Sequence, residues 1–327
     1  MTTDALIVAA GKPARRRGNR GRDFGILAAL VVMMLLLSIF TNTFLTGGNL
    51  VNVLDQAVVV GLLACGETLC IISGAFDLAA SSVLALSAIS AVIITQHFGV
   101  LAGFLGCIVV GAILGTISGI VVVVSRVHSF IATLAMSIIY RGLAVIITAG
   151  AILYPMPDQL EQFQMLTWPS IGGITSASVL FLAVVAICWV LLSGTTFGRR
   201  IFAIGGNEEA SRLSGIRAWQ VRVAVFAVSG VCAALAGLVL ASRGGSAQSA
   251  MGTGLELSAI AAAVVGGTSV MGGEGAIWRG LIGVFILTLI GNGFNLLGWN
   301  TTYQQVVQGA LILGAVTLDQ YLRRRRN

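Results

Sequence analysis

Gly205-Gly206-Asn207-Glu208-Glu209-Ala210-Ser211-Arg212-Leu213-Ser214-Gly215 lies inside Phe197–Arg222, the one long polar interruption in the second half of this chain. The run reads as a short helix with both ends marked. The Asn207 side-chain oxygen is suited to accept a free first-turn N–H. Glu208 and Glu209 place negative charge at the positive end of the helix dipole. Gly215 suits the left-handed residue that ends a helix. A plain connector has no need of a self-contained helix with two built ends.

What surrounds this run is strongly apolar. Of 327 residues, 57% are hydrophobic and 9% are charged. Soluble domains carry about a quarter charged residues, so this chain cannot coat itself with polar surface. An all-α integral membrane protein is expected, because helices satisfy their own backbone hydrogen bonds in lipid. About 20 apolar residues cross a bilayer. That length gives ten expected spans: 24–44, 50–72, 78–96, 99–124, 129–149, 175–193, 223–242, 255–272, 276–298 and 302–322. The eighth is the least secure, since Gly266-Gly267 and Gly272-Gly273 interrupt its end. A basic tail over 1–23, a transmembrane domain over 24–322 and a second basic tail over 323–327 complete the expected organisation. Residues 150–173, with Pro155, Pro157 and Pro169, are expected to be a loop.

Charge sets an expected orientation. With the N-terminus in the cytoplasm and ten alternating spans, all but two of the 19 lysines and arginines fall inside. Arg243 falls outside and Arg141 within a span. Such asymmetry is the positive-inside pattern. It places both termini and the 197–222 loop in the cytoplasm. The net charge of +7 therefore reads as an orientation signal and not as a nucleic-acid surface.

Some chemistry is missing from the sequence. Lys12 is the single lysine and Pro13 follows it, so no phosphate loop of the G-x-x-x-x-G-K-[ST] type exists. His97 and His128 lie at separate span ends, and no Cys/His spacing fits a metal. No hydrolase motif is present. Neither a catalytic site nor a metal site is expected. The five cysteines, Cys65, Cys70, Cys107, Cys188 and Cys232, all fall in apolar runs and read as small core residues.

Four charges lie within or beside spans, and each needs a reason. Glu67 fits a structural hydrogen-bonding role or a place on a transport path. Asp77 follows a Gly-containing break and is suited either to capping the third span or to the path. Arg141 lies about 20 Å along its helix, where it must pair with an acid or face a polar cavity. Glu256 begins the eighth span. In the fourth span Gly111, Gly115 and Gly119 recur every four residues on one face. They permit close approach of another helix, from the same chain or from a second subunit.

Glu209-Ala210-Ser211-x-x-x-Gly215 resembles the E-A-A-x-x-x-G signature of bacterial ABC-importer permeases. The wider run Gly205-Gly206-Asn207-Glu208-x-Ala210-x-Arg212-Leu213-Ser214-Gly215-Ile216 resembles the ribose-type monosaccharide permeases in particular. So do Ser246-Ala247-Gln248, Gly252-x-Gly254-x-Glu256-Leu257, Val265-Gly266-Gly267-Thr268-Ser269 and Asn292-Gly293-x-Asn295-Leu296-Leu297-Gly298. In the first half, Gly74-Ala75-Phe76-Asp77-Leu78 is similar to the family's G-G-I-D-L-S, with Ala75-Phe76 in place of Gly-Ile. Ala79-Ala80-Ser81 stands in place of Ser-Val-Gly. Phe130-Ile131-Ala132-Thr133-Leu134 and Arg141-Gly142 match the start of the family's fifth span.

The resemblance implies a type II importer built from two permeases and two ATPase subunits, with a possible inverted repeat. An extracytoplasmic sugar-binding protein would deliver the substrate. Asn207, Glu208, Glu209, Ala210, Ser211, Arg212 and Gly215 would form the coupling helix that docks on the ATPase. ATP and Mg would bind that partner and no cofactor would bind this chain. Glu67, Asp77, Arg141, Asn292 and Asn295 are the candidates for the path or gate. The flanking arginines would meet acids on the partner or lipid headgroups. A second permease copy or a relative would complete the path. The expected location is the bacterial inner membrane. Two other readings stay open: an ABC permease for branched-chain amino acids or nucleosides, and a stand-alone ion-coupled carrier.

Overall fold

The structure, a computed structural model, describes residues 19–171 and 173–300 together with scattered positions from 303 to 317. Most of the basic tails, including Lys12 and Arg323–Arg326, lies outside the described residues, as does much of the tenth expected span.

The helices run in order. The first three are α1 (Asn19–Phe40), α2 (Gly47–Ile72) and α3 (Ala80–Phe98). Next come α4 (Val100–Ser125), α5 (Ser129–Thr148), α6 (Leu160–Phe163), α7 (Ser176–Gly194), α8 (Thr196–Gly206) and α9 (Glu208–Leu213). The order closes with α10 (Ala218–Gly244), α11 (Leu255–Val265) and α12 (Ile277–Leu296). Among the described residues, eight of these helices are long and apolar enough to cross a membrane: α1 to α5, α7, α10 and α12. They match eight of the ten expected spans. At the eighth span the structure has α11, which is only 11 residues long. Gly267 takes φ +89 just after it, and the Thr268 and Gly267 amides turn back onto the Ala263 and Val264 carbonyls. That paired closure satisfies the last carbonyls and stops the helix early.

α2 and α10 form the centre. α10 packs along α4, α2 and α3, while α2 also meets α12, α11 and α7. α1, α4, α5 and α7 turn broad apolar faces outward. The α4–α10 seam is glycine-lined. A side-chain carbon on Gly115 would lie 2.3 Å from the Phe226 carbonyl oxygen, and one on Gly111 2.5 Å from the Gly230 carbonyl oxygen. Gly119 meets Val223 and Phe226 in the same way. All three glycines of that stripe are therefore spent on helix packing within the chain. The five cysteines are free and buried.

Two regions expected to be loops are structured. Between α5 and α7, residues 150–173 hold α6, a 3-10 turn over Gln164–Thr167 and strand β1 (Pro169–Ile171), which pairs antiparallel with β2 (Ile174–Thr175). Phe163 anchors this segment, fully buried edge-on to Phe104 at 5.6 Å. The start of the 197–222 interruption is also helical. α8 buries Gly198, Ile201 and Ile204 along one side. α10 then begins at Ala218, so Arg222 belongs to a helix and not to the loop.

Candidate functional site

α9 is short but closed at both ends. The Asn207 side-chain oxygen accepts the Ala210 amide at 2.9 Å. At the other end Gly215 has φ +82, its amide donates to the Arg212 carbonyl, and the Ile216 amide donates to the Ser211 carbonyl at 3.0 Å. Six residues make a marginal helix in isolation, so these two caps are what define it. Ser211 is its buried foot, donating to the Asn207 carbonyl at 2.8 Å. Asn207, Glu208, Glu209, Ala210, Arg212 and Gly215 are exposed. So is Leu213, at 81%. An apolar side chain held out on a rigid turn suits a partner's pocket, and the sequence reading did not single it out.

Two contacts tie α9 to the membrane helices. Arg222 of α10 donates to both Glu208 oxygens, at 2.7 and 3.4 Å. Through Gly206, α9 also continues directly from α8, whose end is wedged into the core. A side-chain carbon on Gly205 would lie 1.8 Å from the Ile72 carbonyl oxygen and 2.7 Å from the Gly273 nitrogen. The Gly273 amide donates to that same Ile72 carbonyl at 2.9 Å. Gly272, with φ +82, approaches Gly74 and Gly205 equally closely. Only residues without side chains fit where these three segments meet.

Ile72 ends α2, and beyond it the chain unwinds over 73–79 before α3. A buried unwound segment must find partners for its polar groups, and here α5 and α10 supply them. The Ser129 hydroxyl accepts the Phe76 amide at 3.1 Å, and the Thr133 hydroxyl accepts the Leu78 amide at 3.0 Å. Asp77 is buried. One of its oxygens accepts the Ala79 amide at 3.1 Å and the other the Ser229 hydroxyl at 2.8 Å. Asp77 thus caps the break and also ties it to α10.

Glu67 is fully buried one turn above the break. It packs against the Asp77 main chain, in the field of Asp77 and Glu256, without closing a well-formed hydrogen bond among the described residues. Arg141 projects from α5 onto the loop between α10 and α11. It donates to the Ser249 carbonyl, to the Met251 carbonyl at 2.9 Å and to the Ser81 hydroxyl at 3.3 Å. Glu256 lies within its electrostatic reach. Glu67, Asp77 and Arg141 are therefore grouped around the two unwound segments of the fold. Asn292 and Asn295 stand apart from them. Asn292 is buried and exchanges side-chain amide bonds with Asn49 of α2, at 2.9 and 3.2 Å. Asn295 is exposed at the end of α12.

Asp55 was not singled out from the sequence. Its carboxylate pairs with Arg243 at 2.9 Å and accepts the Thr175 hydroxyl at 2.6 Å. α2, α10 and the β2 residue that caps α7 are joined there, at the end of the bundle opposite α9. The partners lie 120 and 188 residues away in sequence, so no local pattern announces them.

A bundle of long apolar helices with buried, unwound, polar-lined segments at its centre is the architecture of a membrane transport permease. The chain belongs to the family described as "Branched-chain amino acid transport system / permease component", which matches residues 49–316. It is 39% identical over 298 residues to the ribose import permease protein RbsC of Escherichia coli strain K12, covering 90% of this chain and 92% of that one. Its identity to the RbsC of Bacillus subtilis strain 168 is 42% over 301 residues, covering 91% and 93%. With the D-allose transport system permease protein AlsC of Escherichia coli strain K12 it shares 37% over 301 residues, 91% of each.

Proposed function

We propose that this chain is the membrane subunit of an ATP-driven importer that forms the path for a monosaccharide. The observation that carries the reading is α9: a doubly capped, exposed helix, tied by Arg222 and Gly205 to a permease core whose sequence holds no phosphate loop. A rigid turn passes force where a loose loop would absorb it, because its backbone groups are satisfied internally. Relatives named for ribose import and D-allose transport favour a sugar over the branched-chain amino acids in the family's description.

On this reading residues 24–322 are one permease domain, 197–222 is the coupling segment, and Asn207–Gly215 docks on a separate ATPase that holds ATP and Mg. An extracytoplasmic binding protein delivers the sugar, and a second permease completes the path. The distribution of arginines supports ten spans with α9 and both termini in the cytoplasm. Two long central helices, α2 and α10, each followed by an unwound segment, support an inverted repeat. Arg141, Asp77 and Glu67 belong to the framework that moves. Asn292 and Asn295 complete the candidate set, the former through its pair with Asn49.

Proteoliposomes decide the class. With ATPase and binding protein present, radiolabelled ribose, allose or arabinose should accumulate only when ATP is supplied. Accumulation by the permease alone, driven by an imposed ion gradient, would establish the stand-alone carrier instead.

A further inference from the structure

A cavity of about 350 Å³ opens beside α9, between the 73–79 break, the α4–α5 turn and the start of α10. Its ionisable lining is Arg126, His128, Glu208 and Arg222. Two guanidinium groups thus face one carboxylate. Among the described residues no acid pairs with Arg126, which is held in the turn after α4 with φ 54. Arg222 gives its two terminal nitrogens to Glu208 and leaves its buried Nε without a partner there. The His128 Nδ1 accepts the Phe130 amide at 3.3 Å. In the neutral ring its proton therefore sits on Nε2, as a donor. α5 begins at Ser129 in the same wall, with its positive dipole end toward the cavity. The lining is one negative charge short and rich in unused N–H donors.

We propose that this cavity binds a phosphate-class anion, which takes Arg126 and Arg222 and competes with Glu208 for the latter. Guanidinium forks match tetrahedral oxyanions through paired hydrogen bonds. Occupancy would release the tie between α9 and α10 and so loosen α9. The same chemistry is offered by free phosphate or a phosphate ester and by a phospholipid headgroup. The regulatory consequence rests on reading α9 as the coupling helix; the binding itself does not.

The test uses the full-length permease without its ATPase, so failure of the coupling assignment and failure of this one are separable. In detergent, radiolabelled orthophosphate should bind saturably at constant ionic strength. Binding should weaken about tenfold or more in Arg126→Ala and in Arg222→Ala, and tighten in Glu208→Gln. Phosphate should also speed amide exchange over 208–213. In a parallel arm the permease sits in bilayers of an uncharged, phosphate-free glycolipid, with or without phosphatidylglycerol and without orthophosphate. Faster exchange with phosphatidylglycerol assigns the site to a headgroup; faster exchange with orthophosphate alone assigns it to a soluble anion. If neither probe acts, or if the effect persists in Arg126→Ala, an exposed turn residue whose loss leaves the core intact, the proposal is overturned. Unchanged affinity in Glu208→Gln contradicts the competition and overturns it equally.

Discussion

Gly205 of α8 and Ile72 of α2 meet so closely that a side-chain carbon on Gly205 would lie 1.8 Å from the Ile72 carbonyl oxygen. That oxygen already accepts the Gly273 amide at 2.9 Å. The end of α2, the exit of α8 and the loop before α12 therefore behave as one joint, three backbones thick. Displacing α9 pulls on Gly205, and Gly205 has no slack against Ile72. Gly205→Ala must push backbone apart, which in packed interiors costs roughly 1–3 kcal/mol. Gly206→Ala meets nothing within 4 Å. Thermal unfolding should show a lowered midpoint for Gly205→Ala and little change for Gly206→Ala.

The α4–α10 seam yields a second contrast. Gly115→Ala or Gly230→Ala places a carbon within 2.3 Å or 2.1 Å of a facing carbonyl oxygen. Either change should destabilise the bundle. Gly142, on the outward side of α5, has nothing within 4 Å. Gly142→Ala should be neutral or stabilising by up to about 1 kcal/mol, the helix-propensity difference between the two residues. Heat stability of the detergent-solubilised variants ranks them.

Arg141 is a clip between the loop after α10 and the first turn of α3. Arg141→Ala removes donors from the Ser249 and Met251 carbonyls and from Ser81. Hydrogen bonds from a charged group are worth about 1.5–3 kcal/mol each. Faster amide exchange is expected around 249–254, together with slower transport. Lysine offers a point charge and no planar fork, so Arg141→Lys should recover only part of either property.

Asn207→Ala and Gly215→Ala attack α9 at its two ends. Loss of an N-cap costs about 0.5–2 kcal/mol. A side chain at the φ +82 of Gly215 costs roughly 1–2 kcal/mol. In a six-residue helix either loss is enough to fray it. Amide exchange at Ala210 and Ile216 should rise in each variant while the α2 and α10 amides stay protected.

Much of this was legible from the residues, for local reasons. Asn207 and Gly215 mark helix ends by their own chemistry, and both do so in the structure. The eight long spans follow from runs of apolar residues, and the doubtful eighth was flagged by its glycines. α8 was missed because Arg199, Arg200 and a Gly-Gly pair gave it the look of a loop. Its buried face, Gly198, Ile201 and Ile204, is spaced by three and was a usable signal. The rest was hidden by distance in sequence. Glu208–Arg222, Asp55–Arg243 and Asn49–Asn292 are made only when the helices assemble. No periodicity encodes which helix lies beside which. The seating of Asp77 on Ser229 likewise needs α10 in place before it has meaning.

The central claim is that α9 carries the work of ATP hydrolysis into the bundle. Its most direct test is the permease carrying Glu209→Lys, alone and with Gly215→Ala, reconstituted with its ATPase and binding protein. Neither position touches the core, so membrane insertion and the protection of the α2 and α10 amides should match the unaltered protein. ATPase association and ATP-driven sugar uptake should both fall at least about tenfold, the equivalent of 1.4 kcal/mol lost at the docking face. Association and uptake unchanged in the double variant would contradict the account.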